Sequence, residues 1–407
     1  MKSIPSTDPR HPAARAPTSE VGEALDLLFR RRSGQLTAAL TSVFGLDQLD
    51  LVEDVVQDAF VQALRKWPGT GVPDDPGAWI LRVARNRAVD FLRRQGRWRE
   101  KRDELERSLP STRRDGGANG LFSSAIVDDE LRMIFAACHP SIPRDGQVAL
   151  TLRTVGGFSV DEIAAAFLAQ KPTIAQRIVR AKRVLRDEGV TFRLPPESDL
   201  TAHLDSVLEV IYLMFNEGYS AASGEALVRA ELCGEAIRLA ELLAAHPAVA
   251  GPRIDALAAL FLFQAARLPA RAGPGGEVVR LRDQDRSAWD GGLIRRGMGY
   301  FESSGRGDDV TSYHLQAEIA AHHTLAPTWE ETPWSRILEC YDLLLERDPS
   351  PIVALNRAVA LAEVGGAAKA LAVVRGLAGE PALGSYHYLF AVEGDLLARL
   401  GRFLEAE

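Results

Sequence analysis

Apolar residues recur at spacings of three and four along most of this chain, and the strict alternation typical of a strand is nearly absent. The pattern predicts an all-α protein. The first three helices are predicted at 21–44, 51–67 and 76 to about 95. Gly45 and Leu46 interrupt the pattern after the first helix, and a run of turn-forming residues interrupts it after the second.

The second and third predicted helices each carry one apolar stripe, which predicts that they share a core. In the second helix the stripe comprises Leu51, Val52, Val55, Val56, Ala59, Phe60, Ala63 and Leu64. In the third helix it comprises Trp79, Ile80, Val83, Ala84, Ala88, Phe91 and Leu92. Asp75 followed by Pro76 suits a helix cap and the first turn of the third helix.

Changes in composition along the chain predict its domain organisation. A first stretch rich in Pro, Ser, Thr and Arg predicts a disordered tail, and a later polar, glycine-rich stretch predicts a linker between two helical domains. Beyond Pro195 and Pro196 the chain becomes helical again. The predicted segments are a tail at 1–20, a helical domain at 21–98, a linker at 99–125, a second domain at 126–194, a helical extension at 200–300 and helical repeats at 301–407.

The second domain contains the pattern of a helix-turn-helix. Ser159 and Glu162 have the spacing of a capping box, which opens a short helix. A turn at 168–170 leads through Lys171 and Pro172 to a second helix at 173 to about 188, with four residues on its buried face: Ile174, Ile178, Ala181 and Leu185. In this motif the second helix enters the major groove of DNA, where Arg recognises guanine and Gln recognises adenine.

The net charge of −7 conceals an uneven distribution of charge. Residues 1–200 hold 30 Lys and Arg against 27 Asp and Glu, whereas residues 201–407 hold 18 against 28. Within the first half, 82–102 holds nine basic and two acidic residues, and 171–193 holds seven and two. Two basic islands in an acidic chain are typical of a protein that binds nucleic acid at two points. For either island alone, a solvated helix face is the alternative interpretation.

The remaining composition argues against several classes of function. No apolar run is long enough to cross a bilayer and the first residues lack the apolar core of a secretory signal, so we expect a cytoplasmic protein without a membrane partner. Cys138, Cys233 and Cys340 form no CxxC pair and are expected to be buried free thiols. The Cys138-His139 pair suggests a metal or redox site only if further ligands lie nearby. No enzyme motif is recognisable, so no catalytic residue, cofactor or metal is predicted.

Four stretches of the sequence resemble a known family. The stretches at 54–60 (DVVQDAF) and 78–94 (AWILRVARNRAVDFLRR) resemble region 2 of extracytoplasmic-function (ECF, sigma-70 type) RNA polymerase sigma factors. The stretches at 157–164 (GFSVDEIA) and 175–182 (AQRIVRAK) resemble region 4 of the same family. The resemblance covers about 21–190. It implies a region 2 bundle, a linker and a region 4 helix-turn-helix, without the domain that larger sigma factors carry between them.

The resemblance also implies partners and roles. Core RNA polymerase, through its β′ clamp and β flap, and promoter DNA are the expected partners. The residues expected to bind the clamp are Asp54, Gln57 and Asp58. Those expected at the −10 element are Trp67, Arg82, Arg85, Asn86, Arg93 and Arg94, although a Trp at a helix boundary more often packs in its own domain. Those expected at the −35 element are Lys171, Thr173, Gln176, Arg177, Arg180 and Arg183.

The extension of about 210 residues departs from the common sigma pattern. The sequence LAEVG at 361–365 recurs as LARLG at 397–401, an offset close to the tetratricopeptide period. Sigma factors with such an extension form a recognised group, in which it resembles tetratricopeptide repeats and is thought to control activity, with a possible protein partner. The stretch DQDRSAWD at 283–290 is either a ligand site or a capped, salt-bridged loop. His322-His323 is interpreted as a feature of a helix surface.

Three alternative functions compete with the sigma factor. An ordinary helix-turn-helix regulator with a helical sensor domain would bind duplex DNA without polymerase, but it has no use for the region 2 helix pair. A scaffold built on the repeats leaves the basic islands unexplained. An enzyme lacks a recognisable constellation of catalytic residues.

Overall fold

A computed structural model gives the fold. The structure describes residues 17–94, 118–167, 169–220, 226–271, 273, 279–380, 383 and 386–406. Within these ranges the chain forms 17 α-helices, short 3-10 turns and no strand, which confirms the all-α prediction. The helices divide between two compact units, Met1–Val207 and Leu208–Glu407. None of the described helices combines the length and the apolarity that a membrane crossing requires.

The first unit begins with a bundle of three long helices, α1 (Pro17–Phe44), α2 (Leu49–Thr70) and α3 (Pro76–Arg94). Their apolar stripes meet in one core that includes Phe44, Val52, Phe60 and Ile80. Helix α1 begins four residues earlier than predicted, inside the expected disordered tail, and the rest of that tail lies outside the described residues.

Two members of the predicted stripes are exposed. Leu64 on α2 is 48% exposed and Phe91 on α3 is 42% exposed, so the prediction that both are buried was wrong. Each lies at the margin of its stripe, where Ala63 and Leu92 occupy the core position instead. An apolar stripe covers only about 100° of a helix surface. Whether a residue at its edge is buried therefore depends on how the neighbouring helices pack.

The turn between α2 and α3 is shorter than predicted. Helix α2 continues through Pro68 to Thr70, and Gly71 then adopts a positive φ of 80°. The Asp75 carboxylate accepts a hydrogen bond from the backbone N–H of Ala78 at 2.9 Å, which confirms it as the cap of α3. The cap and the turn fix where the basic helix α3 begins.

The rest of the first unit contains four shorter helices, α4 (Ala118–Ala137), α5 (Arg144–Thr154), α6 (Val160–Ala166) and α7 (Lys171–Asp187). Helix α4 begins inside the stretch predicted as a linker, of which 99–117 lies outside the described residues. It packs against α1, and α5 packs against α7. Helices α6 and α7 form the predicted helix-turn-helix.

The second unit begins within α8 (Glu197–Ser220) and continues with α9 (Ala226–Ala245), α10 (Pro252–Ala266), α11 (Gly291–Ser304) and α12 (Ser312–Leu325). Helix α10 is apolar around most of its circumference and forms the centre of this unit. The Phe261 ring stacks on that of Phe215, with the centroids 4.2 Å apart. A helix that is apolar all round is stable only when other helices surround it, as here.

The chain continues in antiparallel helix pairs: α13 (Trp334–Arg347), α14 (Pro351–Gly365), α15 (Ala367–Leu377), α16 (His387–Arg399) and α17 (Phe403–Ala406). Tight turns at Gly366 and Gly401, both with positive φ, join α14 to α15 and α16 to α17. Glu363 and Arg399 occupy equivalent positions of the sequence repeat, and their side chains form an ion pair at 2.6 Å. The repeated helices therefore contact each other; their tetratricopeptide-like character stays a prediction.

Candidate nucleic-acid interface

The helix-turn-helix has the predicted local geometry. The Ser159 hydroxyl accepts from the backbone N–H of Glu162 at 3.1 Å, and the Glu162 carboxylate accepts from the backbone N–H of Ser159 at 2.7 Å. This reciprocal pair is a complete capping box and confirms the predicted start of α6. The four residues predicted on the inner face of α7 are all buried: Ile174, Ile178, Ala181 and Leu185.

The opposite face of α7 presents most of the residues predicted to contact the −35 element. Thr173, Gln176, Arg180 and Arg183 are exposed. Lys171 is exposed as well, and its ammonium pairs with Asp161 at 2.8 Å. Pairs so open to solvent are weak, so Lys171 can exchange its partner for a phosphate at little cost.

Arg177 is held differently from the other predicted −35 residues. Its guanidinium pairs with Asp145 of α5 at 2.8 Å and is half-buried. The pair lies beside a cleft of about 160 Å³ that Thr173, Gln176 and Arg180 also line. Asp145 therefore positions Arg177 toward this cleft, a role that the sequence alone did not indicate.

Val179 is a residue of this face that sequence reasoning missed. Its side chain is 63% exposed and lies one turn of α7 from Gln176 and Arg183. An apolar side chain on a base-reading face can contact the 5-methyl group of thymine. In the sequence, the helical spacing places Val179 among the polar residues of α7, and this distinguishes it from the core residues.

Helix α3 carries the residues predicted for the −10 element. Arg82, Asn86, Arg93 and Arg94 are exposed and Arg85 is half-buried. Arg82, Asn86 and Arg93 follow each other at helical spacing along one face. In the described part of the chain, Arg82 and Arg85 form no ion pair, so this face offers positive charge for a nucleic-acid backbone.

Trp67 does not share that exposure. It is 2% exposed and packs edge to face against Trp79, with the ring centroids 5.4 Å apart. A buried indole ring cannot stack on a base in this conformation. The structure thus supports packing within the domain, which is the alternative that the sequence left open.

The residues predicted to bind polymerase lie together on α2. Asp54, Gln57 and Asp58 are exposed, and Asp58 forms an ion pair with Arg87 of α3. Val61 and Leu64 continue this face at 38% and 48% exposure. Exposed apolar side chains that lie together are a feature of surfaces that bind other proteins, so we count Leu64 with this surface.

Helix α7 contacts α2 through charged side chains on the face away from the −35 residues. The Lys182 ammonium is 2.7 Å from the Asp50 carboxylate and 3.1 Å from that of Glu53. Arg153 of α5 pairs with Glu53 at 3.3 Å. The Lys182 and Glu53 side chains are only 10% and 13% exposed, so removing one partner would leave the other charge nearly enclosed.

The cysteines have the structural role that the sequence predicted. All three are free and buried. Burial raises the pKa of the Cys138 thiol to about 12, so the reactive thiolate is not populated near neutral pH. Its Sγ lies 3.4 Å from the Thr151 hydroxyl. Among the described residues no cluster of His, Cys, Asp and Glu has the composition of a metal site.

Comparison with known proteins gives matches to two parts of the chain. The profile of sigma-70 region 2 matches residues 28–98, and that of a family of unknown function (DUF6596) matches residues 203–305. An uncharacterized protein of Rhizobium meliloti (strain 1021) is 41% identical over 94% of this chain and 89% of its own length. No solved structure matches the chain.

Several relatives are RNA polymerase sigma factors. The ECF RNA polymerase sigma-E factor of Escherichia coli (strain K12) is 33% identical over 137 residues, which are 33% of this chain and 71% of that protein. The sigma-E factor of Salmonella typhimurium (strain LT2) is 32% identical over the same shares. The chain therefore belongs to the ECF family of RNA polymerase sigma factors, which act in transcription initiation, and carries an additional C-terminal domain.

Proposed function

We propose that this sigma factor binds core RNA polymerase through one face of α2 and promoter DNA through α3 and α7. The face of α2 comprises Asp54, Gln57, Asp58, Val61 and Leu64, and its target is the β′ clamp. An acidic surface suits a basic partner, and the exposed apolar pair supplies area that is buried on binding. Region 4 is expected to contact the β flap as well.

The main observation behind this proposal is that each of the three helices has one buried face and one exposed face. The core faces of α2, α3 and α7 are buried, whereas their outer faces carry the acidic, basic and base-reading residues respectively. In the proposed complex, α3 holds the single-stranded backbone of the −10 element and α7 reads the −35 element in the major groove. Trp67 contributes to the packing of the bundle.

Run-off transcription from a promoter library tests the proposal. Core RNA polymerase is supplied with the protein or without it, and initiation at a shared pair of −35 and −10 sequences is expected only when the protein is present. Leu64→Gln should reduce binding to core polymerase, and Arg180→Ala should reduce promoter selectivity. Arg336→Ala, on an exposed face of α13, is the matched control. DNA binding without any polymerase binding would instead identify an ordinary helix-turn-helix regulator.

We further propose that the C-terminal extension regulates the sigma activity. Residues 201–407 hold 18 basic and 28 acidic residues, so the extension is electrostatically complementary to the two basic islands. Surfaces built from helical pairs also commonly bind peptides and proteins, which suggests a protein partner. If the extension regulates activity, a chain ending at Pro195 should differ from the full chain in run-off transcription. Circular dichroism checks that the shortened chain is folded. Equal activity of the two would reject regulation by masking.

A further inference from the structure

The Asp145 carboxylate contacts two helices, its own helix α5 and the neighbouring helix α7. Its Oδ1 accepts a hydrogen bond from the backbone N–H of Gly146 at 3.0 Å, and its Oδ2 lies 2.8 Å from Nε of Arg177. Asp145 lies in the first turn of α5, so its short side chain has little freedom once the backbone holds one oxygen. The second oxygen therefore holds the Arg177 guanidinium in a defined place.

Close packing of α5 on α7 brings these two charges together. Gly146 is buried, and a Cβ atom added to it would lie 3.7 Å from Cβ of Ala181 and 3.9 Å from the carbonyl oxygen of Arg177. These are van der Waals distances, so the backbone of α5 lies directly beside α7 at the level of Arg177. Asp145, the neighbour of Gly146, therefore reaches Arg177 although its side chain is short.

Arg144 anchors the same turn of α5 on a different side. Through Nη1 it donates to the Ser206 carbonyl oxygen at 3.0 Å and to the Gln147 side-chain oxygen at 2.8 Å. Ser206 is buried and belongs to α8, within the first unit. Because this turn is held by backbone and side-chain bonds, Asp145 is a fixed support for Arg177.

Pairing through Nε leaves the two Nη groups of Arg177 for another partner. No described residue accepts a hydrogen bond from them or pairs with them. The cleft of about 160 Å³ beside the pair is also lined by Thr173, Gln176 and Arg180, which lie on the exposed face of α7. An arginine that selects guanine donates to both O6 and N7, and two Nη groups can do so while Nε stays with a carboxylate.

We infer that Asp145 is a positioning residue that orients Arg177 to select guanine at one base pair of the −35 element. The inference rests on the proposed reading of that element by α7. Adenine presents its N6 amino donor where guanine presents O6, so an arginine fixed in this orientation disfavours an A·T pair. Without Asp145, the same guanidinium is free to turn to a phosphate, a contact that carries no sequence information.

The negative charge of Asp145 has a second consequence for DNA binding. Its side chain is 51% exposed, so it repels nearby DNA phosphates and reduces binding to every sequence. Loss of the charge should therefore strengthen binding to non-specific DNA and weaken the selection of one base pair. These opposite changes distinguish positioning from a structural role, because a destabilised fold weakens binding to all sequences.

Binding of promoter DNA by the polymerase holoenzyme, with the full chain as its sigma subunit, tests the inference. Each base pair of the −35 element is replaced in turn. The wild type should prefer G·C at one position by about tenfold, and Arg177→Ala should remove that preference. Asp145→Asn keeps the shape of the side chain but not its charge. It should reduce the same preference by about threefold or more and retain the preferences at other positions.

Two further variants serve as controls. Asp161→Asn on α6 removes an equal charge from the helix-turn-helix, but one that pairs with Lys171 and not with Arg177. It should keep the preference for guanine. Asp145→Ser is a second neutral replacement that suits the start of a helix, and it should behave as Asp145→Asn does.

The possible results separate this inference from the proposed function. An Asp145→Asn variant that keeps the full preference, or that weakens binding to all sequences alike, overturns the inference and leaves the reading by α7 intact. The same conclusion follows if Arg177→Ala changes no preference. A wild-type holoenzyme without a preference at any −35 base pair instead rejects the proposed reading by α7, and the inference with it.

Discussion

Lys182 of α7 and Glu53 of α2 form an ion pair in which both side chains are almost enclosed, with Nζ and Oε1 3.1 Å apart. Asp50, Arg153 and Arg186 complete the cluster, so three cations and two carboxylates meet where α5 and α7 contact the first bundle. The Lys182 ammonium belongs to a basic island, yet it faces away from the −35 residues. The pair therefore joins the helix-turn-helix to the first bundle without using the faces that we propose to bind DNA.

Replacing Lys182 tests the energy of this contact. Lys182→Ala leaves Glu53 enclosed with one cation fewer, so we expect the free energy of unfolding to fall by about 1–3 kcal/mol. Urea denaturation at neutral pH measures it. Lys171→Ala is the matched control, since Lys171 lies on the same helix and pairs with Asp161 at 2.8 Å but in solvent. Its expected cost is about 0–1 kcal/mol. Equal costs for the two variants would show that burial does not strengthen the Lys182 cluster.

A second contact between the same parts depends on a glycine. A Cβ atom added at Gly34 of α1 would lie 2.6 Å from the carbonyl carbon of Val155 and overlap its oxygen. Backbone cannot move aside as a flexible side chain can, so Gly34→Ala should lower the free energy of unfolding by about 1–3 kcal/mol. Gly69→Ala on α2 meets nothing within 4 Å and should be neutral or slightly stabilising. Thermal unfolding compares them, and a neutral Gly34→Ala would contradict the close approach.

Local features of the fold were predictable from sequence. The capping box of Ser159 and Glu162 and the cap at Asp75 depend only on neighbouring residues, and both are confirmed. The inner face of α7 was equally predictable, because its four apolar residues lie in the middle of a stripe. Leu64 and Phe91 lie at the edges of theirs, where docking of other helices decides burial.

The partners of charged residues were not predictable in the same way. Lys182 looked like one more cation of a basic island, because the sequence does not reveal that Asp50 and Glu53 lie opposite it. His323 looked like a surface residue. It instead packs against Trp334, with the ring centroids 5.2 Å apart, so the expectation of a surface pair was wrong for it. Such environments arise only when distant segments of the chain assemble.

Val179 offers a test of base reading that leaves the protein fold intact. If its side chain contacts a thymine methyl group, replacing one thymine of the −35 element by deoxyuridine should weaken wild-type binding about fourfold, the value of one buried methyl group. Val179→Ala should lose this discrimination, and its Tm should be unchanged because the residue is 63% exposed. Gel-shift titrations with polymerase holoenzyme measure the ratio at each thymine. If no replacement of thymine by deoxyuridine weakens wild-type binding, Val179 does not contact a thymine methyl group.

His323 predicts how the stability of the second unit depends on pH. Burial, followed by the charges of Arg267, Arg286 and His322, lowers its pKa from 6.5 to about 3, so the folded chain keeps the imidazole neutral where the unfolded chain protonates it. The unfolded state then binds the extra proton, and stability falls as pH drops from about 6.5 toward 3, by up to about 1.4 kcal/mol per pH unit. His323→Gln should flatten this dependence in urea titrations between pH 7 and 5. His322→Gln is the control, because it retains His323 and should keep the wild-type dependence of the free energy of unfolding on pH. If His323→Gln shows that same dependence, other groups cause the acid sensitivity.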